Sequence, residues 1–381
     1  MRILHVYKSY YPDKLGGVEQ VILQLTRGLH ALGIESRVFT LSENADPPII
    51  VRPEAVVVRS RTTLEWASTP FSMSAFGAFR QQLKWADVVH YQFPWPFADV
   101  LHLLAARDKP SVVSYQSDIV RQKRLLSAYS PLMNRFLRSA DAIVATSPNY
   151  LYSSPVLQRL KCDVQVIPNG IHGSDSDGND RERIGFWRHH LGPDFFLFVG
   201  VLRYYKGLKD LVRASCGLPV PVVIAGDGPE SSDLKKLASS LPGANVRFLG
   251  QVSDEDKKIL LQMCRAFVFP SNLRSEAFGM SLVEASMYGR ALISCEIGTG
   301  TSFVNLDGVT GHVVPPGQPL ALRQAMEHLH DHPEEALRMG RAARDRFESY
   351  FSAEQMARAY SALYERLVTP GAKCRPQLPP T

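Results

Sequence analysis

The chain lacks any apolar run near the ~18–20 residues that a bilayer crossing needs. Its longest candidate, Phe195–Leu202 (FFLFVGVL), has only the length of a strand. The opening segment MRILHVYKSYYP has no extended apolar core of the kind a secretory leader carries, and it reads as a first β-strand. Cysteine is scarce. Cys162, Cys216, Cys264, Cys295 and Cys374 are scattered, odd in number and contain no CxxC pair, which excludes a zinc ribbon and argues against a secreted disulfide framework. A reducing cytoplasm is the compartment that follows. HExxH, EF-hand, GxSxG and GxxxxGK[ST] patterns are also missing, so no metal cofactor is expected. The nearest approach to a metal-ligating cluster, HLHDH at His328–His332, reads as an exposed helix end.

What the 381 residues do contain is enough apolar material for full cores: 45% hydrophobic against 21% charged. At roughly 100–200 residues per domain, the length predicts two or three domains. The net charge of +6 is unevenly placed. Residues 1–170 hold 19 Lys and Arg against 13 Asp and Glu, so the N-terminal half carries the whole surplus. That asymmetry suits solubility, an anionic membrane surface or a phosphorylated substrate. Nucleic acid ranks last, because no recognised binding motif accompanies the charge.

Short β-branched runs alternate with amphipathic stretches along both halves. Ile3–Tyr7, Arg37–Leu41, Val56–Val58, Val88–Tyr91, Ser111–Tyr115, Ala142–Thr146 and Val164–Ile167 read as strands, with helices at Val18–Leu32, Phe71–Lys84, Phe97–Ala106 and Leu126–Ser139. Pro168–Gly192 breaks the rhythm with loop composition (PNGIHGSDSDGND). A second alternation runs from Phe195 to Val314. Two parallel α/β units facing a cleft are therefore expected: residues 1–170, then 171–350, followed by a closing helix at 351–368 and a Pro-rich disordered tail at 369–381.

Four segments stand where chemistry belongs, at the junctions of strand and helix. Gly16-Gly17 allows close backbone approach before the first helix. Arg203 and Lys206 in FVGVLRYYKGL place two cations at a strand's carboxyl end, which suits a diphosphate. Glu276 and Glu284 in SEAFGMSLVEA flank Phe278, Gly279, Met280 and Ser281, whose amides open a helix; carboxylates there would accept bonds from sugar hydroxyls, or Glu284 would simply complement the helix dipole. AGDGP at Ala225–Pro229 is a tight turn.

In their order, GGVE, IPNGI, FVGVLRYYKGL, IAGDGP, FVFPSNLRSEAFGMSLVEA, GTGTSFVN and DGVTGHVVPPG resemble the family 4 retaining glycosyltransferases of the GT-B fold. The resemblance covers essentially residues 1–368, and SYQSDIVRQKRL with EIGTGTSFVN is most similar to bacterial O-polysaccharide mannosyl- and D-rhamnosyltransferases. It implies that Arg203 and Lys206 bind the donor diphosphate. Glu276 would hold sugar hydroxyls beside the Phe278 and Gly279 amides, Glu284 would hold the ribose, and Leu249–Val252 would border the base. Gly16 and Gly17 would let the N-terminal loop approach the sugar and diphosphate.

The chain departs from the family pattern at two places. Val201 stands where many relatives have arginine, leaving Arg203 as the substitute. Gln116 stands where many carry a histidine that reaches the hexose near O6.

The implied partners are a GDP-sugar donor, an undecaprenyl-diphosphate-linked saccharide acceptor and the cytoplasmic face of the inner membrane, with no nucleic acid. Arg121, Lys123, Arg124, Arg135 and Arg138 would meet the membrane. Trp95 would pack on lipid or sugar, or in the core. A UDP-sugar transferase of the same family and a non-catalytic sugar-nucleotide-binding protein are the alternatives. A nicotinamide dehydrogenase would need GxGxxG after the first strand, and YKSYYPDKLGGVEQ does not comply.

Overall fold

The computed structural model describes residues 1–14, 16–66, 69–106, 108–119, 123–160, 163–173 and 180–369. The chain divides into two compact units. Unit 1 is Met1–His172 together with the chain from Ser352 onward, and unit 2 is Gly173–Phe351.

Unit 1 is built on an eight-stranded sheet. Its strands are β1 (Arg2–Val6), β2 (Glu35–Ser42), β3 (Ile49–Val51), β4 (Val56–Arg61), β7 (Val88–Phe93), β8 (Ser111–Tyr115), β9 (Ala142–Ala145) and β10 (Val164–Val166). A separate hairpin, β5 (Leu64–Trp66) with β6 (Thr69–Phe71), lies between β4 and β7 in sequence. The spatial order is β10-β9-β8-β7-β1-β2-β4-β3, parallel except for β3. The order reverses between β1 and β7, which is where ligands collect in such sheets. Helices α1 (Gly17–Ala31), α2 (Ala75–Trp85), α3 (Pro96–Ala105), α4 (Lys123–Ser139) and α5 (Pro148–Ser153) connect the strands. Val21, Ile22, Leu25 and Leu29 give α1 its buried stripe, and Gly33, at φ +74°, turns the chain out of it.

Unit 2 carries six strands: β11 (Phe196–Val199), β12 (Val222–Ala225), β13 (Val246–Gly250), β14 (Ala266–Phe269), β15 (Ala291–Cys295) and β16 (Gly311–Val314). Their order, β13-β12-β11-β14-β15-β16, is all parallel and reverses between β11 and β14. β11, β12, β14 and β15 are buried on both faces, which explains their continuous apolar runs. The helices are α6 (Arg181–Leu191), α7 (Leu208–Ala214), α8 (Ser231–Ser240), α9 (Asp254–Met263), α10 (Met280–Met287), α11 (Thr301–Val304), α12 (Pro319–Asp331) and α13 (Pro333–Arg346). The last helix, α14 (Ala353–Val368), belongs to unit 1. Ser352 caps it by accepting from the Gln355 N–H, and Met356, Tyr360, Leu363 and Tyr364 form its buried face against α1 and β7.

Two expectations need correction. The helix expected from Phe71 begins at Ala75, because Phe71 is the last residue of β6 and packs edge-on against Phe97. The expected loop Pro168–Gly192 contains α6. That helix is too polar to reveal itself by periodicity; Asp180 caps it, and Asp256 of α9 pins it by accepting from Trp187 Nε1 (2.9 Å) and Arg183 (3.0 Å). Trp95 is core, 1% exposed, donating to the Pro70 carbonyl. The tail expected from 369 lies outside the described residues beyond Thr369, as do Cys162, Cys374 and Arg121. Cys216, Cys264 and Cys295 are free. Among the described residues, no helix is long and apolar enough to cross a membrane.

Candidate active site

The switch point of unit 2 brings two loops together. One follows β11 and carries Arg203 and Lys206; the other follows β14 and carries Glu276. Lys206, 9% exposed, donates to Glu276 Oε2 at 2.5 Å, and Ser271 Oγ supplies a second donor at 3.4 Å. The ammonium also lies 4.6 Å from the centre of the Phe269 ring, a favourable place for a cation. Arg203, by contrast, is exposed and has no ion pair among the described residues, so its guanidinium is available to a ligand.

The two loops are locked by backbone. Asn272 N–H donates to the Tyr205 carbonyl at 3.1 Å. Gly207 sits at φ +65°, and a Cβ there would lie 1.9 Å from the Pro270 carbonyl oxygen, so only glycine permits this approach. The AGDGP turn does more than reverse the chain. Gly226, at φ +133°, would place a Cβ 2.1 Å from Gly200 O, and the Asp227 carbonyl accepts from Leu202 N–H at 3.0 Å. That turn therefore braces the loop from which Arg203 projects.

Beyond Glu276 the chain enters α10. Gly279 is its N-cap at φ +92°, no side chain caps the helix, and no acidic residue occupies its first turn. The amides of Met280 and Ser281 thus open a helix whose N-terminus favours an anion. Phe278 is buried beneath this turn. Glu284 lies one turn further on and accepts from Lys257 of α9 at 3.1 Å; Lys257 is also 3.4 Å from Asp254. Burial opposes the Lys257 charge, but Glu284 and Asp254 outweigh it and hold its pKa above the ordinary lysine value. Leu249, in β13, and Val252, in the turn that leads from β13 into α9, are half-buried. Lys257 is a residue that sequence reasoning missed. Its signal was available only as DEDKK, an ordinary charged helix start.

Unit 1 holds the remaining candidates at the carboxyl edge of its sheet. Gly16 is the extended N-cap of α1, and a Cβ on it would lie 2.5 Å from Glu19 Oε2, while a Cβ on Gly17 would meet nothing within 4 Å. Glu19 is buried and accepts from Ser9 Oγ at 2.5 Å, fixing the loop. Gln116 follows β8, is 6% exposed, donates to Gln92 Oε1 at 2.8 Å and accepts from Asn169 Nδ2 at 3.1 Å. Among the described residues no group of His, Cys, Asp and Glu is arranged to hold a metal. In the HLHDH segment His328 pairs with Glu335 at 2.9 Å, and His332 bonds the His328 carbonyl.

Comparison with known proteins decides the family. The Glycosyltransferase Family 4 family matches residues 15–174, and Glycosyl transferases group 1 matches residues 180–346. The chain is 52% identical over 356 residues to the D-rhamnosyltransferase WbpZ of Pseudomonas aeruginosa, covering 93% of each. The chain belongs to the family 4 glycosyltransferases. This transferase is also 48% identical over 368 residues to the O-antigen chain mannosyltransferase C of Escherichia coli, covering 97% of this chain and 99% of that one. In fold it matches sucrose-phosphate synthase from Thermosynechococcus elongatus (TM-score 0.77, 20% identity, 96% and 98% covered). It also matches Anabaena HepE in complex with UDP (TM-score 0.75, 18% identity, 96% and 100% covered). The transferase thus has the GT-B fold.

Proposed function

We propose that this glycosyltransferase moves a D-rhamnose or D-mannose residue, with retention at the anomeric carbon, from a GDP-sugar to a lipid-linked saccharide in O-polysaccharide assembly. The observation that carries the reading is the switch-point constellation of unit 2: exposed Arg203, the Lys206–Glu276 pair and the uncapped start of α10. The sugar class rests on similarity to the rhamnosyl- and mannosyltransferases.

The leaving group is a nucleoside diphosphate, so the main task is to stabilise negative charge as the glycosidic bond breaks. Arg203, Lys206 and the Met280 and Ser281 amides do this from fixed positions, without a metal ion. Glu276 then accepts from sugar hydroxyls, and Glu284, held by Lys257, accepts from the ribose. In same-face attack a departing phosphate oxygen takes the acceptor proton, so no side-chain base is required. Leu249 and Val252 border the base, and Gly17 leaves room over the first turn of α1 for the donor.

Gln116 addresses the hexose. A carboxamide can hydrogen-bond but cannot carry the positive charge of a histidine, and this suits a donor without a hydroxyl at C6. Turnover of GDP-D-rhamnose and GDP-mannose by the wild type and Gln116→His tests the point. The reading expects GDP-D-rhamnose to be used at least as well by the wild type, and a strong wild-type preference for GDP-mannose would remove it. The acceptor side of the reading places unit 1, with exposed Arg135 and Arg138 on α4, at the cytoplasmic face of an anionic membrane. Co-sedimentation with vesicles should rise with anionic lipid and fall with salt; binding indifferent to both would contradict it.

A further inference from the structure

The environment of Gln116 contains a chain of polar side chains that strand geometry makes inevitable. Successive strand residues point to opposite faces, so His90 and Gln92 of β7 share a face, as do Ser114 of β8 and Gln116 just past its end, where the Gln116 N–H still donates to the Phe93 carbonyl. The register Gln92↔Ser114 sets the two pairs side by side. All four residues are at least 94% buried by their exposures of 0, 1, 1 and 6%. The face they share is covered by Tyr360 and Tyr364 of α14.

Each bond in the chain fixes the next. Asn169 Nδ2 donates to Gln116 Oε1 (3.1 Å), Gln116 Nε2 to Gln92 Oε1 (2.8 Å), and Gln92 Nε2 points to His90 Nε2 (3.3 Å). His90 Nε2 also meets Ser114 Oγ at 2.6 Å, and His90 Nδ1 meets Tyr364 OH at 2.7 Å. A nitrogen that accepts from Gln92 and Ser114 is unprotonated, so the proton sits on Nδ1 and is donated to Tyr364. Burial, and then neighbouring His5, push the His90 pKa well below the usual histidine value, which agrees with a neutral ring. Within this chain Gln116 has one N–H committed to Gln92 and its oxygen engaged by Asn169. Among the described residues the second N–H has no protein acceptor.

We propose that Gln92 and Asn169 are positioning residues that hold the Gln116 carboxamide in one orientation, so that its remaining N–H is presented to an oxygen of the transferred sugar. The proposal rests on the reading above that Gln116 addresses the hexose. It makes the chain a specificity element: a lone exchange at 116 leaves Gln92 Oε1 or Asn169 Nδ2 without its partner, so position 116 is coupled to 92 and 169.

A double-mutant cycle on the full-length enzyme tests it, using Gln92→Met, Asn169→Ala and Gln116→Ala with thermal melts on each variant. Gln92→Met and Asn169→Ala should each lower kcat/KM for the nucleotide-sugar about five- to tenfold, the loss expected for one misplaced hydrogen bond. Both losses should disappear when added to Gln116→Ala, because they act through it. Equal losses in the two backgrounds would overturn the proposal and assign both residues a merely structural role. A second readout is independent of turnover. The Gln116 side-chain amide resonance, identified by its absence in Gln116→Ala, should shift in both Gln92→Met and Asn169→Ala. An unmoved resonance would also overturn the positioning role. If the resonance shifts but Gln116→Ala transfers sugar at the wild-type rate, the failure lies in the reading that Gln116 touches the hexose, and the presented N–H falls with it.

Discussion

The two sheets arm their carboxyl edges with opposite chemistry. Unit 2 uses charge: a lysine–glutamate pair, an exposed arginine and a bare helix start. Unit 1 uses mostly neutral groups: two glutamines, an asparagine, a histidine kept uncharged by burial, and a glycine turn braced by the buried Glu19 carboxyl. Charge suits a leaving diphosphate, whose recognition needs strength more than discrimination. Neutral donors and acceptors suit hydroxyl patterns, where an unmatched group costs more than a matched one adds. On this view unit 2 supplies rate and unit 1 supplies choice.

The sharpest way to break the comparison is to remove the charge. Arg203→Ala with Lys206→Ala should lower kcat/KM by about 10³-fold or more, in line with loss of charge stabilisation in a transition state. Undiminished transfer would end the assignment of rate to unit 2. A melt must accompany the assay, because Lys206→Ala strands a largely buried Glu276 (side chain 12% exposed), and single removal from a buried pair costs about 3–5 kcal/mol. The next effect acts on geometry alone. Gly207→Ala adds no charge and removes none, yet its Cβ would meet the Pro270 carbonyl in a left-handed turn. It should lower both stability and kcat, with donor KM moving less. Unchanged kcat would mean that the placement of Lys206 against Glu276 is not needed.

How much of this was legible follows the same divide. Arg203, Lys206, Glu276 and the Phe278–Ser281 turn announce themselves because charged and glycine-rich segments stand out between apolar strands. The alternation of strands and helices exposed both sheets for the same reason. Lys257 was hidden because its partner Glu284 lies 27 positions away and only the fold brings them together. Gln92 was hidden differently. VVHYQF and SVVSYQ do carry polar residues two apart inside apolar strands, which is the mark of a polar face buried in a sheet. Such a face reads as an ordinary half-exposed strand until α14, arriving from the far end of the chain, covers it. Helix α6 failed on composition: Leu191 is its one buried residue, and Arg183 and Trp187 tie it to Asp256 by hydrogen bonds that the sequence does not display.

Acid should distinguish the units by stability. Burial lowers the His5 pKa to about 3, and His90 is displaced in the same sense. A histidine whose native pKa lies below its unfolded value costs nothing above about pH 6.5. As pH falls beneath that value the unfolded chain binds a proton that the native chain refuses, so stability declines, approaching about 1.4 kcal/mol per pH unit for each such group until the native pKa is reached. Melts between pH 7 and 5 should show this decline, and His5→Phe should make it shallower. A slope unchanged in that variant would mean that His5 protonates as readily in the native chain as in the unfolded one. Half-buried His312 in unit 2 is also lowered, and His312→Phe measures that unit's share.

The smallest effect asks which arm of the buried chain matters. Tyr360 OH meets Ser114 Oγ at 2.5 Å and Ser114 meets His90 Nε2, so this arm joins the chain at the histidine, two hydrogen bonds short of Gln116. Tyr360→Phe keeps the ring, its packing against Tyr364 and the Ser114–His90 bond. Only one neutral hydrogen bond is lost, so stability should fall by about 1 kcal/mol, read as a small drop in Tm. Donor kcat/KM should stay within about twofold, because a single such contact away from the reacting groups has little leverage on the transition state. Tyr364 stands on the other side of the same ring, accepting the one proton that sets the direction of every amide out to Gln116. If Tyr360→Phe slowed transfer as much as Gln92→Met, orientation would be a property of the whole α14 face and not of the glutamine arm, and the division between a charged, rate-giving edge and a neutral, discriminating one would have to include the closing helix.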